Sequence, residues 1–127
     1  MTTFDFGNGP VPAHQHSNGG GWVADTASVD DSAYIGPDAR VYGNAVVSGY
    51  ARISGNAQIF DNARVFDNAR VFDSARIFDS ARVFDHALVF DHALVFDHAL
   101  VYGDAEVYGN AVVSDNAEVS GNARIHQ

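Results

Sequence analysis

From Ala27 to Ala123 an alanine recurs at every sixth residue, and two residues after each one stands Val or Ile, from Val29 to Ile125. The seventeen consecutive hexads contain no insertion or deletion. No other property of the chain constrains its fold as much as this strict period. It fits neither the 3.6-residue repeat of an α-helix nor the 3.5-residue repeat of a coiled coil. Six is a multiple of the two-residue strand period, broken by a feature that itself recurs.

That feature is a corner. Two residues after each aliphatic stands Gly or Asp as far as Gly121, with Pro37 the one departure. The next residue is usually Asn, Ser or His, as in Asn44, Asn68, Ser74 and His86. Gly, Asp and Asn best tolerate positive φ, so these pairs are turn chemistry. Each hexad is predicted to be a three-residue strand, such as Ala63-Arg64-Val65, followed by a turn. Alternation places Ala and Val on one side and Arg on the other. Strands this short bury nothing alone and must wind and stack on themselves.

The pattern Ala-x-[Val/Ile]-x-[Gly/Asp]-[Asn/Ser/His] resembles the hexapeptide-repeat superfamily, the left-handed parallel β-helix of many acyltransferases. More narrowly, repeats such as Ala39-Arg-Val-Tyr-Gly-Asn44 resemble bacterial and phage proteins built almost wholly of this motif. A Gly-Gly-Trp-Val-Ala-Asp-Thr-Ala segment, here Gly20 to Ala27, commonly opens the solenoid in those proteins. The resemblance implies an all-β, triangular, left-handed solenoid with three hexads, hence 18 residues, per coil. Residues 21–127 then give five to six coils, and residues 1–20 form an N-terminal cap or arm.

Charge narrows the functions available. Sixteen Asp and Glu face seven Arg, with no Lys, for a net charge of −9. Such a chain lacks the basic footprint of a nucleic-acid binder or of a protein held to anionic lipid. No apolar run approaches the roughly 20 residues of a membrane span. The absence of Cys removes disulfides, thiolate zinc sites and thiol nucleophiles. No secretory signal is visible, so a cytoplasmic or virion-associated location is expected. Flat arrays of outward Thr, which an ice-binding solenoid needs, are missing: Thr occurs only at positions 2, 3 and 26.

The outward positions change along the chain in blocks. Arg64, Arg70, Arg76 and Arg82 give way to Leu88, Leu94 and Leu100. With three hexads per coil, the leucines form a belt around the solenoid, one per side. Aromatics follow the aliphatic positions and fall, in 18-residue register, into ladders Phe60/Phe78/Phe96, Phe66/Phe84/Tyr102 and Phe72/Phe90/Tyr108. Stacked aromatics stabilise neighbouring coils. Combined with the leucines, Phe84, Phe90 and Phe96 also read as a contact surface. The aspartates form columns such as Asp61/Asp79/Asp97/Asp115, each expected to cap its own corner amides or to meet an outward Arg.

Three histidines, His86, His92 and His98, lie one hexad apart and so occupy three different corners of one coil. They cannot share a metal within one subunit. The closely spaced His pair that trimeric zinc hydratases of the superfamily use is missing, and no metal or cofactor is expected. In the superfamily's acyltransferases a His acts as general base beside a cleft between subunits, so these three are the candidates for an acyl-CoA-dependent alternative. Those enzymes usually carry loop insertions or a helical extension, and this repeat has neither. His14 and His16 read as cap residues.

The ends complete the sequence reading. Solenoid edges recruit other chains unless blocked. Trp22, behind residues 1–20, is expected to help cover the first coil, and Ile125 to lie where a like subunit can stack. The expectation is a non-enzymatic structural or interaction solenoid that forms a homo-oligomer or filament, or docks on a larger assembly such as a phage particle.

Overall fold

The computed structural model describes residues 2–127. Seventeen two-residue strands run from β4 (Ser28–Val29) to β20 (Arg124–Ile125), each holding the outward residue and the inward aliphatic of one hexad. The alanine, expected within the strand, closes the corner instead. Its amide donates to the carbonyl three residues earlier, as from Ala63 to Phe60 at 3.2 Å.

Residues eighteen apart pair in parallel, for example Arg64 with Arg82 and Val65 with Val83. Three hexads therefore make a coil, and the strands sort into three faces. The first face holds β3 (Trp22–Ala24), β6 (Arg40–Val41), β9 (Gln58–Ile59), β12 (Arg76–Ile77), β15 (Leu94–Val95) and β18 (Val112–Val113). The second holds β4, β7 (Val46–Val47), β10 (Arg64–Val65), β13 (Arg82–Val83), β16 (Leu100–Val101) and β19 (Glu118–Val119). The third holds β5 (Tyr34–Ile35), β8 (Arg52–Ile53), β11 (Arg70–Val71), β14 (Leu88–Val89), β17 (Glu106–Val107) and β20. Six rungs per face give an all-β parallel solenoid of about six coils, with no helix among the described residues. From Ala33 to Val107 every inward Ala, Val and Ile is at most 1% exposed. Small and branched side chains alternate and fill the interior, leaving no pore.

Every corner from Gly43 to Gly121 starts with a residue at φ between +54° and +66°, and eight of these residues are Asp. A left-handed conformation costs an L-residue about 1–2 kcal/mol, least for Asp and Asn. The carboxylates do not cap their own corners, as the sequence suggested, nor do they meet the arginines. Seven of the eight, from Asp61 to Asp97, reach along the stacking direction: Asp79 Oδ2 accepts the Asp97 amide at 3.2 Å, and Asp85 Oδ2 the Gly103 amide at 3.1 Å. The reason is one of availability. The second corner residue's amide is already bonded to the next coil's carbonyl, as from Ser80 to Asp97 at 2.8 Å. The amide left over is the one that the previous coil's carboxylate accepts.

The N-terminal residues extend the first face. Strands β1 (Thr3–Asp5) and β2 (Pro10–Gln15) form an antiparallel hairpin, and β2 pairs antiparallel with β3. Register sets Trp22 beside Arg40 and Val23 beside Val41, so Ala24 stands where the next coil has Tyr42. Phe6 fills the space over this small residue and stacks on Tyr42 at 4.8 Å. The ladder continues through Phe60, Phe78 and Phe96 at 4.9–5.0 Å per step.

Trp22 does not cover the end of the core. It faces outward from β3 and stacks on Phe4 at 4.8 Å, within a separate cluster around Phe6, Ala13 and Ala24. Alternation along β3 turns Val23 inward and Trp22 outward. Residues 16–21 cross the first coil instead. His16 is buried, with its Nε2 donating to the Ala33 carbonyl at 2.8 Å, and the Gly21 amide donates to the Ile35 carbonyl at 3.0 Å. At the opposite end, Ile125 is 37% and Val112 52% exposed.

Candidate interaction surface

The three leucines sit on one coil and on three faces: Leu88 in β14, Leu94 in β15 and Leu100 in β16. On one side each pairs with an arginine, Arg70, Arg76 and Arg82 in turn. On the other side the partners are Glu106, Val112 and Glu118. The leucines are half-buried, as are Phe84, Phe90 and Phe96. Rungs about 4.8 Å apart let the stems of Arg and Glu lie along the apolar side chains between them.

The ladders stand as the register requires. Phe66, Phe84 and Tyr102 stack at 4.8 and 5.0 Å. Phe72, Phe90 and Tyr108 stack at 4.8 and 5.1 Å, and His126 adds a fourth ring at 5.0 Å. Near-parallel rings at these spacings tie successive coils together along the corners. Tyr102 donates from its hydroxyl to Glu118 Oε1 at 3.0 Å, and Tyr42 to Gln58 Oε1 at 2.8 Å. Burial raises the Tyr42 phenol above its ordinary value of 10.0; Asp61 adds to the rise, while Arg76 and Arg40 oppose it.

The structure separates the histidines. His86, His92 and His98 are exposed and occupy three corners of one coil. Their backbone amides donate to Gly103, Gly109 and Asp115 one coil on, so their positions are set by stacking. Among the described residues no three His, Asp or Glu side chains group around a common ion position. His14 lies in the hairpin, its Nδ1 2.7 Å from Asp25 Oδ1.

The arginines stand in columns rather than in ion pairs. Arg64 adjoins Arg82 on the second face, and Arg52 adjoins Arg70 on the third. Arg40 lies over the Phe4 ring and Arg52 over the Tyr34 ring, at 5.1 and 5.2 Å. Among the described residues the one arginine–carboxylate contact within 4.0 Å joins Arg124 Nε to Glu106 Oε2 at 3.9 Å.

Sequence reasoning missed a recess of about 500 Å³ between the hairpin and the first ladder, lined by Phe6, Val11, Pro12, Ala24, Tyr42 and Phe60 among others. The available signal was Ala24, a small residue in an aromatic column, with Phe4 and Phe6 alternating upstream.

Three segments, residues 39–55, 57–71 and 63–79, match the family model described as YdcK Beta solenoid repeat. The match concerns the repeat unit and agrees with the parallel solenoid seen here. Comparison with curated proteins found no match, and comparison with solved structures found none either.

Proposed function

We propose that this protein is a non-enzymatic structural solenoid of the hexapeptide-repeat kind, which associates with further copies through the coil that carries Leu88, Leu94 and Leu100. The observation behind this reading is an apolar ring around one coil, set between arginine rungs and a Glu/Val rung on all three faces. Aromatic stacking accounts for the ladders; it does not account for leucines placed outward on every face at one level. One coil is only about 4.8 Å high, against roughly 30 Å for a bilayer core, so the partner is protein. The hexads meet in tight two-residue corners, which give rigid faces.

The test is solution mass against concentration, by sedimentation velocity and light scattering. The parent is expected to self-associate. Replacing the three leucines by Arg, the residue one coil earlier on each face, is expected to abolish association without lowering the melting temperature by more than a few degrees. A parent that stays monomeric throughout, or a variant that associates like the parent, overturns the reading. Replacing His86, His92 and His98 by Asn is expected to leave association intact. Acetyl transfer from acetyl-CoA that this triple variant loses would favour the acyltransferase instead.

A further inference from the structure

The third face carries a self-complementary charge pattern. Reading outward residues along it, Arg70, Leu88 and Glu106 occupy successive rungs, one coil apart. A two-fold axis lying in the contact plane and running along β14 through Leu88 reverses the order of rungs on a facing copy. That operation sets Arg70 against the partner's Glu106, Leu88 against Leu88, and Glu106 against the partner's Arg70. The flanking ladder follows the same operation, which brings Phe90 onto Phe90 and Phe72 onto Tyr108. We propose that the third face binds the same face of a second, antiparallel copy through this Arg–Leu–Glu triplet. The proposal deepens the self-association reading above and rests on it.

Several observations select this face and this direction. A parallel face-to-face pair sets Arg70 level with Arg70 and Glu106 level with Glu106, which repel. The first face has Val112 where the third has Glu106, so its triplet lacks the acid. The second face repeats the triplet as Arg82, Leu100 and Glu118. There the same axis sets Phe84 against Ser120, an aromatic ring against a small polar side chain. On the third face the axis through Leu88 engages five rungs, from Arg52 to Arg124, spanning about 19 Å in four steps of about 4.8 Å. A shallow groove of about 440 Å³, lined by Asn68, Arg70, His86 and Leu88, flanks the leucine and gives a partner's side chain room to interdigitate. Arg70 has no carboxylate within 4.0 Å among the described residues, and Glu106 has only the long contact to exposed Arg124. The outermost rungs set Arg52 against Arg124, like charges at the two ends of the contact, with Arg52 lying over the Tyr34 ring. Isologous two-fold contacts are the commonest mode of homo-oligomer formation.

The pattern gives a mixing experiment. Arg70→Glu alone faces Glu106 with Glu, and Glu106→Arg alone faces Arg70 with Arg. Each variant is expected to associate with itself roughly tenfold more weakly than the parent. Mixed in equal amounts, the two are expected to recover association, because both crossed rungs then pair opposite charges. The double variant Arg70→Glu/Glu106→Arg is expected to behave like the parent. The chain has no Cys, so Leu88→Cys is expected to give an oxidised dimer, and Leu94→Cys on the first face is not. A parent that associates, with variants whose mixture stays as weak as each alone, overturns the antiparallel pairing and leaves self-association standing. A monomeric parent removes both.

Discussion

Asp79 offers a clean test of why Asp occupies the corners. Its backbone sits at φ +54°, its amide donates to Asp61 Oδ2 at 3.3 Å, and its own Oδ2 accepts the Asp97 amide at 3.2 Å. Replacement by Ala loses the acceptor, at about 0.5–1.5 kcal/mol, and keeps a left-handed residue that costs about 1–2 kcal/mol. Together these give a destabilisation of about 2 kcal/mol, before the charge relief that Ala, Gly and Asn share is subtracted. Gly loses the same acceptor but relieves the backbone, at the expense of about 0.4–1 kcal/mol of unfolded-chain entropy. Asn keeps both an acceptor and tolerance of the left-handed region while removing one charge from the column Asp61/Asp79/Asp97/Asp115. Like charges about 5 Å apart repel by about 0.8 kcal/mol per neighbour in water, before salt screening. The expected order of stability is therefore Asn at or above Asp, then Gly, then Ala. About 1 kcal/mol corresponds to about 4 °C in a chain of this length. Thermal melts followed by far-UV circular dichroism at low and high salt measure the series, with the advantage of Asn shrinking as salt rises. Ala as stable as Gly would refute the backbone part of the argument. Asn below Asp by 4 °C or more at low salt would refute the charge part.

Two further substitutions and a titration test the N-terminal cap. A Cβ at Gly19 would lie 2.1 Å from the Ile35 carbonyl oxygen, at φ +116°. Gly19→Ala is therefore expected to cost on the order of 3 kcal/mol, read as a fall in melting temperature and faster amide exchange around Ile35. Gly7, at φ +130°, meets nothing within 4 Å. Gly7→Ala is expected to cost only about 1–2 kcal/mol of strain, and an equal loss at both sites would refute the steric account. The folded-state pKa of Tyr42 lies above its ordinary value of 10.0. Its stabilising contribution is thus fully present below pH 10.0 and lost as pH rises through the folded value. The stability difference between the parent and Tyr42→Phe, measured from pH 8 to pH 11, is expected to shrink above about pH 10; a constant difference would contradict this.

The periodic part of the structure was legible because it is local and repeated. The Ala and Val/Ile positions fixed inside and outside, the Gly and Asp positions marked left-handed corners, and the 18-residue coil that the family resemblance implied placed Phe60 over Phe78. A one-residue error in register would have turned every aliphatic outward, so the pattern admits one solution. Tertiary structure alone decided what depends on contacts without a period. That Phe6 fills the space over Ala24, and that His16 rather than Trp22 closes the first coil, follows from a hairpin whose pairing no repeat encodes. The carboxylates' choice of the next coil's amide over their own corner depended on which donors stacking had already used. The leucine belt was visible as a level in the sequence. Its half-burial between arginine and glutamate rungs, and the reversal symmetry of Arg70, Leu88 and Glu106, required the faces to be laid out in space.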